Sequence, residues 1–142
     1  MAAERLTVTV IVPVSQEEAW SLFTSPGSIT QWNFASNDWH CPSARVDLVV
    51  GGTHCARMEA KDGSFSFDFE GVYSEVKPPH ALTLVLGDGR TSRTTFVASP
   101  AGTIVETCFE AETQNPSELQ RQGWQAILDN YRHLAQRAAA AP

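Results

Sequence analysis

The sequence predicts an α+β fold in which a curved antiparallel sheet of about seven strands wraps round one long C-terminal helix. Short β-rich segments alternate with turn residues through the middle of the chain. One amphipathic helix of about 22 residues follows them. Because a single helix with one apolar stripe must lay that stripe on the sheet, a sheet that grips the helix is the expected arrangement.

The first elements are a strand and two short helices. Residues 6–14, LTVTVIVPV, are rich in β-branched side chains and predict the first strand. Ser15 and Glu18 form a capping box that starts a short helix. A second short helix or turn covers residues 28–32. Residues 33–43 have no periodicity and predict a long loop, which carries Trp39 and His40; such loops in compact domains are often functional.

The middle of the chain predicts an antiparallel meander. Turn residues such as Gly51-Gly52 and Asp62-Gly63 separate the β-rich segments. The predicted strands cover residues 44–50, 53–60, 65–76, 81–86, 91–98 and 103–112.

The terminal helix is predicted over residues 115–137. Asn115 is the expected cap, and Glu118 stands where a carboxylate reaches back to it. Gly123 interrupts the helix beside Trp124 and costs about 1 kcal/mol relative to alanine, so either another element packs very closely there or space is left for something else. Residues 138–142 are expected to be a disordered tail of a single domain that spans residues 1–142. The apolar stripe consists of Leu119, Trp124, Ile127, Leu128, Tyr131, Leu134 and Ala135.

Composition excludes several classes of function. The net charge is −6 and the pI is about 5.1, so no basic field attracts nucleic acid or an anionic membrane. No apolar run reaches the roughly 20 residues of a membrane span, so no membrane insertion is expected. The chain has three cysteines and no CxxC pair, and its first residues, MAAERLTVTV, lack a signal pattern. A cytoplasmic protein without metal or other cofactor is therefore expected.

Strand alternation predicts which side chains face the helix. The expected inner surface is mostly apolar, with His54 and Thr107 as polar exceptions. The small residues Ala56 and Gly123 remove volume from it, so it either packs solid or leaves a ligand cavity. The expected cavity residues are Trp39, His54, Ala56, Met58, Phe67, Phe69, Phe96, Thr107, Gly123, Trp124 and Ile127.

Three stretches resemble a known superfamily. They are VPVSQEEAWSLFTSPGSITQW, VDLVVGGTHCARMEAKDGSFSFDFEGVYSEVKPPHAL and QRQGWQAILDNYRHL. The chain resembles the START-like superfamily, also called SRPBCC or helix-grip, and within it the homologues of the activator of heat-shock-chaperone ATPase. The resemblance implies a seven-stranded sheet gripping the C-terminal helix, and binding of small hydrophobic molecules in many members. An aromatic residue is usual in the family where His54 stands.

Three functions stay open at this point. The first is a carrier or sensor of a small hydrophobic molecule. The second is an enzyme similar to the polyketide cyclases of the superfamily, with His54, His40 or Tyr73 transferring protons. The third is an interaction module, with a chaperone as its partner or a homodimer as its form. A pocket with two converging titratable groups would favour the enzyme, and a filled core with an exposed apolar patch would favour the interaction module.

Overall fold

The protein folds as one curved antiparallel sheet around a long helix, as predicted. The computed structural model describes residues 4–140. The strand order in the sheet is β1-β7-β6-β5-β4-β3-β2. The strands are β1 (Arg5–Val12), β2 (Trp39–Val46), β3 (Thr53–Ala60), β4 (Ser66–Lys77), β5 (Ala81–Leu86), β6 (Thr91–Ser99) and β7 (Gly102–Glu110). The helices are α1 (Gln16–Thr24), α2 (Pro26–Ile29) and α3 (Ser117–Ala140).

Helices α1 and α2 connect the two edge strands, β1 and β2. The Ser15 hydroxyl accepts a hydrogen bond from the Glu18 amide at 3.2 Å, which satisfies a free donor of the first turn of α1. The break between the helices falls at Ser25, and α2 starts at Pro26, where a missing N–H does no harm. The predicted second helix, residues 28–32, is therefore placed slightly too late.

The C-terminal half of α3 is fastened to the rest of the fold. Tyr131 is fully buried, and its hydroxyl donates to the Ala19 carbonyl at 2.6 Å. Its ring packs edge-on against Phe23 and Trp32, with centroids 5.3 and 5.4 Å away. Asn130 Nδ2 donates to the Phe34 carbonyl at 2.6 Å. This half of the helix therefore sits on a filled aromatic core.

The position of β2 corrects the sequence prediction. The strand runs from Trp39 to Val46, so it begins inside the segment predicted as a loop and overlaps the predicted strand, residues 44–50, over residues 44–46 alone. Its register with β3 shifts between His40 and Ser43, around Pro42, so the pattern that would identify a strand is interrupted. Val49 and Val50, which suggested a strand, lie in the loop before β3 and are 53% and 66% exposed.

The ends of α3 also differ from the prediction. Asn115 does not cap the helix, because its side chain donates to Glu112 Oε1 at 3.0 Å. The helix starts at Ser117, and Glu118 pairs with Arg121 instead of reaching back to Asn115. At the other end the helix continues through Ala140, so residues 138–140 of the expected tail are helical. Residues 141–142 lie outside the described residues. Within residues 4–140, no helix is long and apolar enough to cross a membrane.

Candidate functional site

A cavity of about 330 Å³ lies between the N-terminal half of α3 and the inner face of the sheet. Most of the wall surface is aliphatic or aromatic, although nine of the lining residues have polar side chains. The lining residues are Val8, Phe23, Trp32, Asn33, His54, Met58, Phe67, Phe69, Leu82, Leu84, Arg90, Ser92, Thr94, Thr107, Glu112, Asn115, Gln120, Trp124, Ile127 and Leu128.

Strand alternation determines which side chains of the sheet line the cavity, and α3 covers it. His54 and Met58 share one face of β3 and are both buried, as the sequence predicts. On the helix, Trp124 stacks on Phe109 with a centroid distance of 4.0 Å and meets the edge of Phe69 at 6.2 Å. Trp124 therefore bridges β7 and β4 above the inner face and holds this part of α3 away from the strands between them.

The structure brings most of the predicted cavity residues together. His54, Met58, Phe67, Phe69, Thr107, Trp124 and Ile127 all line the cavity. Ala56 is fully buried in the core and Phe96 packs against Trp20 and Phe23, so neither belongs to the wall. Trp39 lies outside the wall, against Phe65 and Phe67. Gly123 is not a lining residue either, although it lies one helical turn before Ile127 and a Cβ there would meet no atom within 4 Å.

His54 is the buried titratable group of the wall. Its Nδ1 lies 3.3 Å from the Tyr73 hydroxyl, and its ring meets the edge of Phe69. Burial lowers the pKa of His54 to about 4 and raises the pKa of Tyr73 to about 12. Both groups are therefore uncharged near neutral pH. Tyr73 is not a lining residue, so its contact with the site is the hydrogen bond to His54.

His40, the other histidine candidate, lies elsewhere. It is on β2 beside Glu59, with Nε2 at 3.6 Å from the carboxylate oxygen, and both side chains are more than a third exposed. Glu59 shares the outer face of β3 with Arg57, the face away from α3. His40 and His54 therefore do not form one site.

A second polar group in the wall was predicted only in part. Thr94 and Thr107 face each other on β6 and β7, with hydroxyl oxygens 2.7 Å apart, and both are almost fully buried. Ser92 lies beside them on the same face of β6. Thr107 alone was expected, because β6 reads TSRTTFVAS and offers no apolar alternation before Phe96. The signal that identifies Ser92 and Thr94 is that they precede Phe96 by four and two residues, so alternation puts all three on one face of β6.

The charged groups of the wall, Arg90 and Glu112, are each bonded to neighbouring groups of the protein. Arg90 Nε donates to Asp88 Oδ2 at 2.6 Å, and its Nη1 donates to the Glu110 carbonyl at 3.1 Å. Glu112 accepts the amides of Gln114 and Asn115, which holds the pKa of its carboxyl below the usual value. These charges are already satisfied within the protein.

An exposed aromatic cluster borders the cavity at the hairpin of β3 and β4. Its members are Trp39, Phe65 and Phe67, whose ring centroids lie about 6 Å apart. Phe67 is one of the predicted cavity residues, yet it is 43% exposed, and Phe65, two residues before it, is 62% exposed. Since Phe67 also lines the cavity, the cluster marks an open edge of the cavity.

The side chains that could bind a metal ion lie on the outer face of the sheet, away from the cavity. Within residues 4–140, the group of donors close enough to share an ion is Cys55, Asp68 and Glu70, with ligand atoms within 4.8 Å of one another. Asp68 already pairs with Arg57 at 3.2 Å. His54 and Cys55 point to opposite faces of β3, so the two cannot bind one ion together.

Comparison with known proteins identifies the family. The family model described as "Activator of Hsp90 ATPase homolog 1-like protein" matches residues 13–136. An AHSA1-like protein of Aeromonas hydrophila, solved by NMR, is 40% identical with a TM-score of 0.91, and the alignment covers 97% of this chain and 96% of that one. A protein of Cytophaga hutchinsonii is 38% identical with a TM-score of 0.78, covering 99% and 96%.

A more distant structure, from Nitrosomonas europaea, is 20% identical with a TM-score of 0.81 over 96% of this chain and 97% of that one, and shows the shared fold alone. No curated protein matches the chain. The family model and the two closer structures cover nearly the same residues as the strands and helices described above. The chain therefore belongs to the family of Activator of Hsp90 ATPase homolog 1-like proteins within the START-like superfamily.

Proposed function

We propose that the protein binds a small, mainly apolar molecule in the cavity between α3 and the sheet, as a carrier or sensor. The observation that carries this proposal is the cavity itself, whose volume of about 330 Å³ and apolar wall match the lower range of small-molecule sites. Protein interiors are normally close-packed, so unfilled apolar space of this size favours a binding site over a purely structural core.

The enzyme alternative receives less support from the same site. His54 and Tyr73 do converge, at 3.3 Å. A proton-transfer group works best with a pKa near the operating pH, whereas burial moves the pKa of His54 to about 4 and that of Tyr73 to about 12. At neutral pH His54 is therefore a weak base and Tyr73 a weak acid. The pair is better suited to holding a ligand than to moving its protons.

The interaction alternative, with a chaperone or a second copy as partner, would use the exposed aromatic cluster of Trp39, Phe65 and Phe67. We assign this cluster to ligand access instead, because Phe67 belongs to both the cluster and the cavity wall. Rings at the edge of an apolar cavity give a hydrophobic ligand a first contact before it is fully enclosed. The proposed setting is the cytoplasm, which the three free thiols support.

Filling the cavity tests the proposal. Ile127 lines the cavity on α3, whereas Leu119 on the same helix is 57% exposed and does not. We expect Ile127→Trp to abolish binding of the uncharged fluorophore N-phenylnaphthylamine, because the indole occupies the ligand's space. Leu119→Trp is the matched control and should bind the fluorophore like the unchanged protein.

The measurement is a fluorescence titration, with far-UV circular dichroism to verify that both variants are folded. Equal binding by both variants would place the fluorophore outside the cavity and refute the proposal. Absence of binding by the unchanged protein at the solubility limit of the fluorophore would do the same. Native mass spectrometry of the protein purified from its own cells then identifies the natural ligand.

A further inference from the structure

Among residues 4–140, His54 makes one side-chain hydrogen bond, and that bond determines which ring nitrogen carries the proton. The Tyr73 hydroxyl is buried, and among residues 4–140 it makes no hydrogen bond other than that to His54 Nδ1. A buried hydroxyl needs an acceptor for its proton. If Nδ1 carried a proton, the Tyr73 O–H would have no acceptor. The arrangement that satisfies both groups has Tyr73 donating to an unprotonated Nδ1.

A neutral histidine with an unprotonated Nδ1 has its proton on Nε2. Within residues 4–140, Nε2 has no hydrogen-bond partner, yet it is not one of the fully occluded unpaired polar atoms, which are Ser99 Oγ and Arg132 Nε. His54 lines the cavity, while Tyr73, on the Nδ1 side of the ring, does not. The Nε2–H therefore opens into the cavity as an unpaired donor in a mainly apolar wall.

We infer that this donor selects the ligand: the cavity takes an uncharged, mainly apolar molecule that carries an oxygen acceptor, such as a ketone carbonyl, and places that oxygen on His54 Nε2–H. This inference rests on the proposed function and names its ligand class. A carboxylate is disfavoured, because Arg90, the one arginine or lysine among the described lining residues, is already bound to Asp88 and to the Glu110 carbonyl. Desolvating an anion without a charged partner is unfavourable.

Fluorenone and fluorene test the inference, because the two tricyclic molecules have the same shape and differ in one carbonyl oxygen. We expect the unchanged protein to bind fluorenone about five- to tenfold more tightly than fluorene, the effect of one buried hydrogen bond. His54→Phe should lose this preference and still bind fluorene. Fluorenecarboxylate should bind more weakly than fluorenone.

Two further variants separate His54 from its surroundings. Tyr73→Phe removes the hydroxyl that sets the proton on Nε2, so the preference for the ketone should shrink. Val97→Ser, at an exposed residue outside the cavity wall, is the control and should keep the preference. The ring nitrogen chemical shifts of His54 in the unliganded protein should show a protonated Nε2 and an unprotonated Nδ1, whether or not the variants fold.

The outcomes distinguish the inference from the proposed function. Binding of neither fluorenone nor fluorene overturns the proposed function and the inference with it. Equal binding of both, a ketone preference that survives His54→Phe, or a proton on Nδ1 overturns the inference alone. Tighter binding of the carboxylate than of the ketone also overturns it, since a charged His54 would then be the recognition group.

Discussion

At the scale of single residues, burial keeps His54 uncharged in an apolar wall. The pKa of this histidine is about 4 in the folded protein, against about 6.5 for an unperturbed side chain. Between these values the unfolded chain binds more protons than the folded one, so the folded state loses stability as the pH falls through that window. Above about pH 6.5 the penalty vanishes, because the side chain is neutral in both states.

We expect the unchanged protein to lose about 2 kcal/mol of unfolding free energy between about pH 7 and pH 5. His54→Phe should lack this part of the pH dependence. Urea unfolding at the two pH values measures it, and the comparison is the change with pH, since the variant also leaves the Tyr73 hydroxyl without its acceptor. Glu75 does not contribute between pH 7 and pH 5. Arg93 holds the pKa of Glu75 to about 2, so the stabilisation from this carboxylate is lost only as the pH falls from about 4.5 to about 2. An identical loss in both proteins would show that His54 is not buried as described.

Gly123 is the other residue whose role can be isolated. A Cβ there would meet no atom within 4 Å, so no close packing requires glycine. Gly123→Ala should raise the unfolding free energy by about 1 kcal/mol through helix propensity alone. Gly123→Leu should also fold well, but its longer side chain, one turn from Ile127, should weaken binding of N-phenylnaphthylamine.

Urea unfolding and the fluorophore titration measure the two effects, and Gly123→Ala serves as the control for the backbone. If Gly123→Leu binds the fluorophore as tightly as Gly123→Ala does, the glycine has no part in the cavity. A lower stability in Gly123→Ala would show that the helix is strained at this position.

At the scale of elements, the hairpin of β3 and β4 extends past the cover that α3 provides. The inner-face rings of Phe65 and Phe67 are exposed for this reason. We expect Phe65→Ser to slow association of N-phenylnaphthylamine, measured by stopped-flow fluorescence, and to leave the sedimentation coefficient unchanged. Val97→Ser is the control, because Val97 is a similarly exposed apolar residue on β6, outside the cavity wall.

Two results would contradict the assignment of the aromatic cluster to ligand access. An unchanged association rate in Phe65→Ser would remove Phe65 from the path of the ligand. A smaller sedimentation coefficient in Phe65→Ser than in Val97→Ser would show that the cluster joins two copies of the chain.

The elements also show which features could be predicted from the sequence. The prediction that β3 turns His54, Ala56 and Met58 to its inner face was correct, because alternation is a local property of a strand. The strand β2 was misplaced, because the irregularity around Pro42 breaks the alternation on which such a prediction rests. Asn115 was wrongly predicted as a cap, because Glu112 competes for its side chain.

At the scale of the whole molecule, the sheet gripping a helix could be predicted, since the order of elements and the single apolar stripe of α3 admit few arrangements, whereas the superfamily came from the resemblance of three stretches of sequence. The cavity could be named only as an alternative to a solid core. Its existence depends on where Trp124 rests against Phe109 and Phe69, which brings together α3, β7 and β4. Such distances between elements are not encoded in any local pattern. For the same reason the donor role of His54 needed the position of Tyr73.

The strand order has a consequence for how the chain acquires its structure. β1 is synthesised first, yet its partner in the sheet is β7, and Arg5 pairs with Glu110. Strands β2 to β7 pair with their neighbours in sequence and can form with short loop closures, whereas β1 must wait for a closure across most of the chain. The inward-facing side chains of Val8, Val10 and Val12 therefore stay exposed on a nascent chain until β7 has been synthesised. The strand that is synthesised first is the last to pair in the sheet.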